Sequence, residues 1–114
     1  MRYLNAKEEL EAREYLIEAA DVAFDATCQR HKCGSVIVGK EGTIIGRGFN
    51  SPPGGREDQR RCGNEKELYS KRVTDKTCCV HAEQRAIIDA LKTNPGKIEG
   101  SRIYFTRLDE RDLP

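Results

Sequence analysis

The chain has 114 residues, enough for one small domain that buries roughly two thirds of the surface its unfolded form exposes. Lys and Arg number 20 and Asp and Glu 19, so the balance excludes a strongly basic nucleic-acid surface and an acidic tail. No apolar run reaches the roughly 20 residues of a membrane helix, and the opening MRYLNAKEELEARE has no secretory-type apolar core, so the cytoplasm is the expected compartment.

The first predicted element is a helix over residues 7–29. Leu16, Ala20, Ala23 and Thr27 recur at spacings of three and four, with Leu10, Ile17 and Phe24 beside them. Acidic residues crowd its first half, where the helix dipole favours them. His31-Lys32-Cys33-Gly34 ends it. Ser35-Val36-Ile37-Val38 is short and β-branched, Gly39-Lys40-Glu41-Gly42 is a turn, and residues 43–50 form a second strand, so the pair predicts a β-hairpin. Gly46 and Gly48 alternate along the second strand, a pattern that marks close approach of a ligand or of another element.

Residues 51–78 are a long polar insert with seven basic and five acidic residues, opening on Ser51-Pro52-Pro53-Gly54-Gly55. A short helix near 66–71 is the one element expected in it. A second helix is expected over 79–93, with Ala82, Ala86, Ile87, Ala90 and Leu91 as its apolar face and Asn94-Pro95-Gly96 as its stop. Residues 101–106 then read as a third strand, and 107–114 as a polar tail. The order helix, strand, strand, helix, strand predicts an α/β domain with a mixed sheet and helices on its faces.

Five cysteines, at 28, 33, 62, 78 and 79, make an odd number in a chain with no export signal, so reduced thiols are expected rather than a disulfide framework.

The residues that carry chemistry are His81-Ala82-Glu83, at the start of the second predicted helix. An imidazole can hold a metal there, and a carboxylate two residues on can reach a water bound to that metal, whose acidity the metal raises. The helix N-terminus adds partial positive charge. Three residues recur by chance, and a surface or capping histidine is the plain alternative. The context is more specific. KCGSVIVGKEGTIIGRGFNSPPGG resembles the first hairpin of the cytidine and deoxycytidylate deaminase superfamily, CVHAEQRAIIDAL its His-Ala-Glu helix, and SRIYFTR the strand before its Pro-Cys-x-x-Cys helix. The resemblance runs from about residue 12 to 110. Within the superfamily it is to the deoxycytidylate deaminase branch, whose members share a histidine, rather than a cysteine, in this triplet and a long link before it. Here 30 residues separate Asn50 from His81.

That resemblance implies a three-layer α/β/α cytidine-deaminase-like fold with a mixed sheet, here its N-terminal part. It also implies Zn2+ as cofactor, His81 as a metal ligand, Glu83 as the proton shuttle, Asn50 as a contact to the nucleotide's sugar or phosphate, and a homo-oligomer as the assembly. The implied reaction is hydrolytic deamination of a cytosine nucleotide, most specifically dCMP to dUMP, with a small-molecule nucleotide rather than a nucleic acid as partner. Asn50 alternatively reads as a turn residue before Ser-Pro-Pro. Cys28, Cys33, Cys62 and Cys78 or Cys79, with His31, could form a structural metal site, or pack as reduced thiols. Arg56, Arg60, Arg61, Lys71 and Arg72 could meet a phosphate or form a solvated face. The sequence departs from the family after the third strand, where no Pro-Cys-x-x-Cys follows. The 114 residues are therefore expected to be a C-terminally truncated single domain that does not turn over substrate alone; the competing readings are a nucleic-acid-editing or other nucleoside deaminase of the same fold and a non-catalytic binding or assembly module.

Overall fold

The computed structural model describes residues 4–26, 31–52, 80–109, 111 and 113. Its elements are helix α1 (Ala6–Ala23), strands β1 (Lys32–Val38) and β2 (Ile44–Phe49), helix α2 (Ala82–Thr93), a 3-10 turn at Pro95–Lys97 and strand β3 (Arg102–Leu108).

Asn5 caps α1. Its Oδ1 accepts the Glu8 N–H at 2.9 Å while Glu8 Oε1 accepts the Asn5 N–H at 3.4 Å, so two of the helix's unsatisfied donors are met reciprocally. The helix ends at Ala23 rather than at 29, because its last turn tightens: Asp25 donates to the Val22 carbonyl and Ala26 to that of Ala23. Thr27 and the expected end of the helix lie outside the described residues. The buried face also differs from the expected one. Ala19, Ala20 and Ala23 are buried, whereas Leu10, Leu16, Ile17 and Phe24 are exposed. The reason is a backbone contact. A Cβ at Gly34 would lie 2.1 Å from the Ala19 carbonyl oxygen and 2.6 Å from the Ala23 nitrogen, so α1 rests on β1 at a distance only small residues permit. Around this contact Tyr15, Val22, Val36, Val38, Ile44 and Tyr104 pack with Ala19. The Tyr15 and Tyr104 rings are 5.1 Å apart, and the Tyr15 hydroxyl donates to the Gly42 carbonyl at 2.8 Å, tying α1 to the hairpin turn.

The sheet order is β2-β1-β3, with both ladders antiparallel where a mixed sheet was expected, because β1 runs against each of its neighbours. β2 and β3 therefore point the same way on either side of it. Gly34, Val36 and Val38 turn to α1; Ile37, with Ile45, turns to Ala86 and Ala90 of α2. The helices thus cover opposite faces, as the three-layer expectation requires. A register shift between Ile37 and Val38 lets Ile45 join the α2-side core. α2 buries Ala82, Ala86 and Ala90 but leaves Ile87 and Leu91 exposed, which corrects the wider apolar face expected of it. Ile103 and Phe105 of β3 are likewise exposed. Among the described residues no helix is long and apolar enough to cross a membrane.

β3 runs two residues beyond the strand expected, and Leu108, assigned to a polar tail, is buried against Ala20 and Ala23. Strand alternation carries it inward while Arg107 stays exposed. Asp109 then closes a turn. Its Oδ1 accepts the backbone N–H groups of Arg111 at 2.8 Å and Leu113 at 2.9 Å, and its Oδ2 accepts Arg111 Nη2 at 3.1 Å. The Leu113 N–H above all, with Arg111, holds the Asp109 carboxyl below the usual carboxylate range. A carboxyl lowered in the fold supports the turn above its unfolded pKa of about 3.9 and loses that support as the pH falls through the lowered folded value. The expected result is that the Arg111 and Leu113 amide resonances hold their shifts from neutrality to mild acid and move together only below that range, in an NMR pH titration.

Candidate active site

The site grows from the contact between β2 and α2. A Cβ on Gly46 would lie 2.5 Å from the Ala86 carbonyl oxygen, and one on Gly48 2.3 Å from the Ala86 nitrogen. The alternating glycines thus serve the approach of another element, the helix. α2 is then fastened along the outer side of β2 by residues four apart. Asp89 Oδ2 accepts the Arg47 N–H at 2.9 Å, and Arg85 Nη2 donates to the Pro52 carbonyl. Thr93 Oγ1 donates to the Ile45 carbonyl at 3.4 Å and Asn94 Nδ2 to the same oxygen at 3.1 Å.

His81 is the N-cap residue of α2, with φ −65° and ψ 153°. Its backbone N–H donates to Gln84 Oε1 at 3.0 Å, and the residue is exposed. Glu83 is half-buried in the first turn. Just before them, Val80 and Ser51 exchange backbone hydrogen bonds of 2.8 and 3.3 Å in an isolated antiparallel bridge. That bridge sets the end of β2 beside the helix mouth, so Asn50, His81 and Glu83 occupy one end of the domain.

Asn50 is buried, and its side chain is turned to the backbone of β1. Nδ2 donates to the His31 carbonyl at 2.8 Å, and Oδ1 accepts the Cys33 N–H at 3.0 Å. It stitches the end of β2 to the start of β1. Asn50→Ala would remove both of these partly buried hydrogen bonds, and is expected to cost about 1–3 kcal/mol in a urea denaturation series.

Cys33 is a half-buried, reduced thiol on β1. Cys28, Cys62, Cys78 and Cys79, the short helix near 66–71, and Arg56, Arg60, Arg61, Lys71 and Arg72 lie outside the described residues. Among the described residues no three His, Cys, Asp or Glu side chains gather as a metal site. His81 and Glu83 have the chemistry of one metal donor and one proton-transfer group, where a catalytic zinc centre takes about three protein ligands. Among the described residues two buried polar atoms have no partner, Ser35 Oγ and Arg85 Nε. Sequence reasoning missed Arg85. Its one signal was spacing: Arg85, Asp89 and Thr93 repeat every fourth position, facing a strand with glycines.

Residues 9–108 match the model of the cytidine and deoxycytidylate deaminase zinc-binding region. The chain belongs to this deaminase family. Zinc is accordingly the metal of its site. Among solved structures, the deaminase fold is matched by the dCMP deaminase of cyanophage S-TIM5. The apo form aligns at TM-score 0.58 and 23% identity, over 90% of this chain and 68% of that one. The form in complex with dCMP and dUMP aligns at TM-score 0.63 and 24% identity, over 91% and 68%. No curated protein matches the chain.

Proposed function

We propose that the chain carries out, or forms part of an enzyme that carries out, zinc-dependent hydrolytic deamination of a cytosine nucleotide, most specifically dCMP to dUMP. The observation that carries this reading is the placement of His81 and Glu83 at the mouth of a helix seated on Gly46 and Gly48. His81 would hold zinc through its imidazole. Bound zinc supplies the acidity that makes water a nucleophile near neutral pH. Glu83 takes one proton from the attacking water and delivers it to the ring nitrogen, then takes the second from the hydroxyl now on C4 and delivers it to the departing amine. The water oxygen bonds to C4, the C4–N bond breaks, and ammonia leaves. The N-terminal end of α2 favours negative charge developing beside it. The dCMP and dUMP of the cyanophage structure support a free nucleotide as substrate. The near-neutral charge counts against a nucleic acid, whose binding requires a basic surface. Assembly as a homo-oligomer in the cytoplasm belongs to the same reading, as does a further metal site involving Cys33.

One observation favours a second reading, a zinc- and nucleotide-binding module without turnover: among the described residues no three His, Cys, Asp or Glu side chains gather as a metal site. The test is to load the chain with zinc, measure metal content, and follow ammonia release from dCMP, deoxycytidine and a cytosine-containing single strand. About one zinc per chain, lost in His81→Ala, with ammonia released from dCMP at a salt-insensitive rate, supports the enzyme. Zinc and dCMP bound without ammonia supports the module. A chain that takes up no zinc and binds no dCMP overturns both.

A further inference from the structure

We propose that Arg85 is the residue that recognises the phosphate of the nucleotide, and so sets a preference for a nucleoside monophosphate over a nucleoside. This rests on the cytosine-nucleotide reading of the site. Arg85 stands one turn into α2, two residues after Glu83, and its side chain runs toward the end of β2. Its stem passes close to Gly48, where an added Cβ would meet the Arg85 Cβ at 2.6 Å, so the strand holds the side chain in place. The guanidinium is half-buried. Its one hydrogen bond among the described residues is to the neutral Pro52 carbonyl, and Nε is buried with no partner.

A partly buried cation needs an opposite charge, and an orphaned buried N–H needs an acceptor. No carboxylate among the described residues supplies either. Holding a single carbonyl does not require a guanidinium; a planar fork with spare N–H groups is the side chain matched to a phosphate. Location agrees with chemistry. Pro52 follows Asn50 and Ser51, and Ser51 is bridged to the residue before His81, so the fork lies where β2 meets the mouth of α2. The same helix end lends its partial positive charge to an anion. A phosphate placed here would satisfy the spare donors and hold the nucleotide at the end of the domain that carries the mouth of α2.

The test compares the binding of inorganic phosphate, dCMP and deoxycytidine to the zinc-loaded 114-residue chain by calorimetry, for the parent, Arg85→Gln and Arg85→Lys. The parent is expected to bind dCMP at least about tenfold more tightly than deoxycytidine. Arg85→Gln, which can still donate to Pro52, should abolish that preference with deoxycytidine affinity unchanged, and Arg85→Lys should restore part of it. A merely structural role would instead weaken both ligands together. A preference that survives in Arg85→Gln, or a parent that binds cytosine compounds without regard to phosphate, overturns the proposal and leaves the deaminase reading standing. Inorganic phosphate bound through Arg85, with dCMP bound no more tightly than phosphate and deoxycytidine not at all, overturns the deaminase reading and the nucleotide preference with it. A parent that binds none of the three probes overturns both.

Discussion

Glu83→Gln is expected to leave zinc content and dCMP affinity unchanged while ammonia release slows by roughly a hundredfold to ten-thousandfold, the usual range for removing a positioned acid–base group. The amide matches the carboxylate in shape and so keeps the half-buried place in the first turn of α2. It cannot accept a proton from water and pass it on. Parallel measurement of metal content, nucleotide affinity and ammonia release separates the proton-transfer role from a structural one. Loss of zinc in the variant would make Glu83 a ligand, and unchanged turnover would remove it from the reaction.

The second large effect falls on the scaffold. In Gly48→Ala the new methyl would lie 2.3 Å from the Ala86 nitrogen, 2.5 Å from the Ala82 carbonyl oxygen and 2.6 Å from the Arg85 Cβ. Two of those atoms are helix backbone and cannot turn aside. α2 must rise from the sheet, which is expected to cost about 1–3 kcal/mol or more. Because His81 and Glu83 ride on the same helix, zinc affinity should fall with stability. Gly96→Ala is the control, since nothing lies within 4 Å of its added Cβ. The comparison is of urea midpoints and zinc affinities for the two variants. Equal midpoints would mean that the close seat of α2 on β2 contributes nothing.

Much of the architecture was legible because it is written locally. The hairpin announces itself through β-branched runs and a glycine turn, the stop of α2 through Asn94-Pro95-Gly96, and the helix seat through Gly46 and Gly48. Ala20 and Ala23 in the buried face of α1 were legible, but a periodicity reading also weights Leu10, Leu16, Ile17 and Phe24, which are exposed. The structure instead presses backbone on backbone at Gly34, so alanines go inside. β3 was cut short for a similar reason: the charge of Arg107 masks the inward turn of Leu108. At the site, the His81-x-Glu83 spacing and the helix mouth were both readable. Asn50 was readable as important, but the backbone atoms it bonds, 17 and 19 residues away, depend on a strand register that no short motif encodes. Arg85 was hidden because an arginine on a helix is ordinarily solvated, and its burial follows from packing against β2.

The paired backbone bonds between Ser51 and Val80 have an evolutionary corollary. They join the two ends of the intervening sequence beside the mouth of α2. Doubling the length of a connection whose ends are held together costs only about 0.6 kcal/mol more. Descendants of this sequence can therefore lengthen, shorten or exchange that stretch while the sheet, the glycine seat and the His-x-Glu mouth stay as they are.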